Sequence, residues 1–187
     1  MRALRPLEES KVSLLRYLGL GGRTAGRDAQ PDSIAELSSE LESIPPEDAR
    51  FVAAFAYLLA RIAGADLRID EVEESEIIRH LERFGEIPTE RAELLTKSAL
   101  RMVDSHSSTD DHLVARAFRD MTEAPERLRL LRCLYAVAAA DETISTREDN
   151  AIFEVASSIG VLHEHVIALR SEFKQYLGSM KALSTER

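Results

Sequence analysis

Tryptophan is absent from this 187-residue chain, and Phe, Tyr and Trp together reach only 5%. Sheet-based cores lean on aromatic and β-branched residues, so the shortage disfavours a β-sandwich or barrel. The single cysteine, Cys133, excludes an intrachain disulfide and, lying in an apolar helical pattern, is expected to be a buried, inert thiol. The most apolar stretch, Phe51 to Ala65, is interrupted by Arg61 and is too short to span a bilayer. No secretory pattern opens the chain, and Met-Arg-Ala lacks the glycine needed for myristoylation; the expected address is the cytoplasm. Catalytic signatures are missing too: there is no zinc-protease histidine pair, phosphate loop, nucleophile elbow or His-Asp doublet. The residues three before His80, His106, His112, His163 and His165 are Ile77, Val103, Thr109, Gly160 and Leu162. None is an acid, so the Glu-x-x-His of helical di-iron centres does not occur. A non-enzymatic role is the expectation.

What is present is helical. Hydrophobic residues make up 44% of the chain and charged residues 30%, an ordinary globular balance. Ala and Leu dominate the apolar set, which suits close helix packing. The net charge of −9 is unevenly spread: residues 1–30 carry six Lys/Arg against three acids, which leaves −12 on the remainder. An acidic body repels phosphate backbones, so nucleic acid is not an expected partner. It attracts cations or a basic protein surface. The basic arm supports at most peripheral contact with the inner face of an anionic membrane.

Three regions follow: a basic, partly flexible arm over residues 1–30 with a short amphipathic helix from Leu7 to Leu20, an all-helical domain over residues 31–178, and a frayed tail over residues 179–187. Within the domain, the spacing of apolar residues predicts a small helix from Ser33 to Ile44, a break at Pro45 and Pro46, and then helix after helix. Expected starts or spans are Pro46, Asp70 to Gly85, Thr89, a short helix after a loop at Ser105–Thr109, Pro125, Ser145 to Gly160, and His163 to Tyr176. The fold class is thus all-α, a bundle of about seven to nine helices.

The chain also repeats itself. Residues 57–87 and 132–162 superimpose without a gap at an offset of 75. Leu59 meets Leu134, Ile62 meets Val137, Asp66 meets Asp141, Ile69 meets Ile144, Glu73 meets Glu148, Ile77 meets Ile152 and Gly85 meets Gly160. Apolar phase, turn chemistry and closing glycine agree, which predicts two copies of one helix–turn–helix unit, over about 51–87 and 126–162, in a pseudo-twofold bundle. At each hinge an N-cap type residue, Asp70 or Ser145, is followed three residues later by Glu73 or Glu148. Both sites therefore read as capping boxes, each contributing about 1 kcal/mol. Ile69 and Ile144 precede the caps, where an apolar residue can staple onto the helix.

An acid at the end of an Ala-rich helix, followed seven residues later by Glu, occurs twice, as Asp66 with Glu73 and Asp141 with Glu148. This pattern resembles the TerB-like tellurite-resistance family, and also the membrane-proximal TerB-like domain of DnaJ-type co-chaperones. The resemblance covers roughly Pro46 to Tyr176. It implies an all-helical bundle with internal twofold pseudosymmetry, whose hinge acids form a cation-binding surface. The family usually places Gly after the hinge Asp; here Leu67 and Glu142 stand there.

The four acids carry two readings. As metal ligands, Asp66, Glu73, Asp141 and Glu148 form an all-oxygen set, with Asp70, Glu142 and Asp149 as second-rank additions. Hard cations such as Ca2+ or Mg2+ favour such ligands, ahead of Zn2+. As structural groups, Glu73 and Glu148 complete the capping boxes while Asp66 and Asp141 cap turns. The loops lack the alternating ligands of an EF-hand. Other candidates rank lower: Asp110 and Asp111 beside His112 suit a helix N-terminus, His163 and His165 point to different sides of a helix, and His80 one turn after Glu76 reads as a solvated pair. Expected partners are a protein of unknown identity and, through the arm's Leu14, Leu15, Leu18 and Leu20, a second copy of the chain. A tie to tellurite or envelope stress follows from the resemblance.

Overall fold

Helix boundaries follow local chemistry. The structure, a computed structural model, describes residues 44–66, 69–105 and 108–178. The expected arm, the short helix from Ser33 and the tail beyond Gly178 lie outside those residues. Seven α-helices occur among the described residues: α1 (Pro46–Ala63), α2 (Glu71–Gly85), α3 (Thr89–Ser105), α4 (Ser108–Met121), α5 (Ala124–Ala138), α6 (Thr146–Ser158) and α7 (His163–Glu172). A 3-10 turn, Lys174–Tyr176, follows α7. No strand forms among the described residues; one isolated parallel bridge joins Ile144 to Leu177.

Prolines open α1 and sit in the first turn of α5, where the missing N–H leaves no bond unmade. α2 and α6 begin with the expected capping boxes: Asp70 N–H donates to Glu73 Oε2 at 2.9 Å, and Ser145 N–H donates to Glu148 Oε2 at 2.7 Å. Two expectations are corrected. The polar loop expected over 105–109 is shorter, because α4 already starts at Ser108. The last helix stops at Glu172 instead of running to Tyr176, and the chain tightens into the 3-10 turn.

Helix α1 is the axis of the bundle. It packs against α2, α3, α4, α5 and α6. Val52 through Ala60 are each 2% exposed or less, so it is apolar all round, as a fully enclosed helix must be. Alanines 53, 54, 56 and 60 remove side-chain bulk and let neighbours approach closely. Phe51 and Phe55 stack at 5.9 Å and extend to Phe118 of α4 at 5.6 and 6.5 Å.

Two helical hairpins, α1–α2 and α5–α6, carry the hinges. Their first turns match in detail: Gly64 N–H donates to Ala60 O and Ala65 N–H to Ile62 O, as Ala139 donates to Tyr135 O and Ala140 to Val137 O. The hinges differ at the residue before the cap. Ile144 is 1% exposed, whereas Ile69 is 45% exposed, so the expected apolar staple is not closed at the first hinge.

Candidate functional site

The first turns of α2 and α6 bring Glu73 and Glu148 together. Both side chains are buried, at 5% and 4% exposure, and close enough for the charge of Glu148 to act on Glu73. Two ionised carboxylates held this near each other repel. Burial, opposed by the Asp70 N–H and reinforced by the charge of Glu148, lifts the Glu73 carboxyl from 4.5 to about 8. At neutral pH Glu73 therefore keeps its proton beside Glu148. Glu148 is also raised by burial, against the N–H and hydroxyl groups of Ser145 and the Glu73 carboxyl.

The aspartates complete a crossed arrangement. Asp141, from the second hinge, adds negative potential at Glu73 of the first. Asp66, from the first hinge, does the same at Glu148 of the second. All four leading site residues thus interact electrostatically across the two hinges. Asp141 Oδ1 also accepts from Thr143 N–H at 2.8 Å, an Asx turn. The capping reading of Glu73 and Glu148 holds at the same time, since each commits Oε2 to a backbone N–H. Among the described residues no group of three His, Cys, Asp or Glu side chains is arranged as a ready metal cage. By donor chemistry, however, an oxygen-only anionic set suits a hard divalent cation.

The second-rank acids have structural partners or exposed positions of their own. Asp70 accepts from Val72 N–H at 3.2 Å and serves as the N-cap of α2. Asp149 is taken up by Arg170 of α7, at 2.7 to 3.0 Å, and by the Tyr135 hydroxyl at 3.4 Å. Glu142 is exposed and has φ of 69°. That left-handed conformation is where glycine is free of strain, which explains how Glu142 preserves a backbone that Asp-Gly would also form. Leu67 lies outside the described residues.

The remaining candidates are structural. Asp111 accepts from the Tyr57 hydroxyl and Arg61 Nε, both at 2.7 Å, tying α4 to the axis helix. His112 Nδ1 lies 3.1 Å from Ser158 Oγ, and the His163 ring packs on Phe153 at 5.6 Å. His80, expected to be solvated, is instead 8% exposed, with Nε2 3.0 Å from Glu76 and its ring on Phe84. Burial depresses its pKa and favours neutral imidazole. The period of α2 turns His80 inward with Ile77 and Leu81, a signal present in the sequence. Cys133 is buried as expected, and burial pushes its thiol up to about 12, which makes it unreactive.

A family model described as tellurite resistance protein TerB matches residues 52–171, well over half of the chain. The chain belongs to the TerB family. No curated protein and no solved structure matches. The matched span of the TerB domain runs from α1 into α7 and so contains both hinges and all four acids. No helix among the described residues of this TerB domain is long and apolar enough to cross a membrane.

Proposed function

We propose that this TerB domain is a non-enzymatic module that binds a divalent cation between its hinges and presents the bound state to a protein partner, in tellurite or envelope stress. The observation that carries the reading is the buried Glu73–Glu148 contact, flanked by Asp66 and Asp141. A proton now relieves the repulsion between these carboxyls. A cation would do the same with more charge and would bridge the hinges. Glu73 and Glu148 would hold it through the oxygens not used in capping, with Asp66 and Asp141 supplying further charge. Ca2+ and Mg2+ match hard carboxylate donors better than Zn2+. The two hinges act as duplicated halves of one site, in keeping with the 75-residue offset.

The test is calorimetric titration of chelated protein with Ca2+, Mg2+ and Zn2+, with thermal unfolding read in parallel. A ligand that binds only the folded state raises the melting temperature by mass action. The expected result is saturable binding with a raised melting temperature, lost in an Asp66→Asn/Asp141→Asn variant. No heat and no shift at millimolar cation would overturn the reading. The acidic body then favours the second function, a metal-independent adaptor for a basic protein near the membrane, whose partners survive chelation.

A further inference from the structure

We propose that the N-terminal segment around Tyr17-Leu18-Gly19 docks on the first hinge at Ile69, in the way that Tyr176-Leu177-Gly178 docks on the second hinge at Ile144. At the second hinge the contact is formed. Ile144 N–H donates to Tyr176 O at 2.6 Å, and Gly178 N–H donates back to Ile144 O at 2.9 Å. Leu177 is 2% exposed and Ile144 1%. The glycine matters: a Cβ at position 178 would stand 3.3 Å from the Ile144 carbonyl oxygen, tighter than most side chains tolerate. Arg170, one turn before the 3-10 segment, clamps Asp149 of α6.

The first hinge has the same parts without that cover. Ile69 aligns with Ile144 at the 75-residue offset, yet it is 45% exposed, and Val72 beside it is 46% exposed. Among the described residues no backbone hydrogen bond pairs with Ile69. The position that aligns with Asp149 is Glu74, also an acid. An exposed apolar pair with an adjacent anchoring acid is an incomplete copy of the occupied hinge.

The chain carries a second copy of the occupant. Tyr-Leu-Gly occurs at 17–19 and again at 176–178. Aligned on that tripeptide, Leu14 falls on Phe173, Lys11 on Arg170 and Leu7 on Val166. The anchoring cation and two apolar positions outside the tripeptide are kept; Glu8 and Ser10 in place of Ile167 and Leu169 are departures. The arm is basic, and the start of α2 is acidic at Glu71, Glu73 and Glu74, so their charges are complementary. Twenty-four residues separate Gly19 from Ile44, enough for roughly 80 Å of extended chain, so reach does not limit the contact.

Hydrogen exchange of the full chain tests this, with parent, Leu18→Asp and Ile69→Asp compared at several concentrations and the mass followed by light scattering. Amides from Ile69 to Glu76 are expected to exchange at least about tenfold faster in Leu18→Asp, while Ile144 to Asn150 stay unchanged as the internal control. Ile69→Asp is expected to accelerate residues 14–19 in turn. Equal exchange at the first hinge in parent and Leu18→Asp would overturn the proposal. So would protection that appears only with a dimer's mass, which would make a second copy the occupant. The readout does not depend on cation, so its failure is separate from failure of the metal site.

Discussion

Each of the two buried glutamates gives one carboxyl oxygen to a helix cap, which leaves the other free to face its counterpart across the hinges. The consequence is a defined dependence on pH. In the unfolded chain Glu73 ionises near 4.5, but in the folded protein it keeps its proton to about 8. Between those values the folded state holds more protons, so stability is greatest below about 4.5 and falls as pH rises through about 8. Glu148 is shifted in the same direction. Glu73→Gln should keep the cap, because an amide oxygen also accepts from Asp70, while its NH2 group donates to Glu148 at any pH. That variant is expected to be more stable than the parent at pH 8 by on the order of 1 kcal/mol, and to lose less stability than the parent between pH 5 and 8. Urea unfolding at the two pH values measures it; a parental slope in the variant would locate the titrating proton elsewhere. A second residue-scale expectation concerns Asp149, which accepts from Arg170 and from the buried Tyr135. Asp149→Ala strands both donors and should lower stability by roughly 1–3 kcal/mol, read as a shift in the urea midpoint.

Helix boundaries were largely legible because they depend on neighbours in sequence. Asp70 and Ser145, with Glu73 and Glu148 three residues on, mark the starts of α2 and α6 by a local reciprocal bond. Prolines mark α1 and α5 in the same way. What the sequence could not disclose is which acid faces which. That the charge of Asp66 reaches Glu148, and that of Asp141 reaches Glu73, depends on how two hairpins meet in space. The same limit explains Asp149. An acid beside a hinge reads as a ligand until Arg170, 21 residues later, claims it, whereas the burial of His80 follows from its phase with Ile77 and Leu81 on α2. Ile69 and Ile144 look equivalent in sequence; only the return of residues 176–178 separates a covered hinge from an open one.

At the scale of the molecule, α1 couples every part. It touches five other helices, so removing or displacing it disrupts all of them at once. A single cooperative transition is therefore expected for the bundle. Ala56 is fully buried on this helix, and Ala56→Leu forces extra volume into a closely packed centre. A loss of about 1–3 kcal/mol is expected, with an unchanged denaturant slope. A split transition in that variant would mean that the hairpins unfold independently.

The central place of α1 also bears on synthesis. This helix leaves the ribosome first among the described ones, but α6, the last of its five partners, is complete only at Ser158. At bacterial-scale elongation rates, that interval of roughly a hundred residues lasts about 5–20 s. Throughout it, the most apolar helix of the protein has incomplete cover, so the nascent chain is expected to be a chaperone client whose hazard ends when α6 closes the bundle.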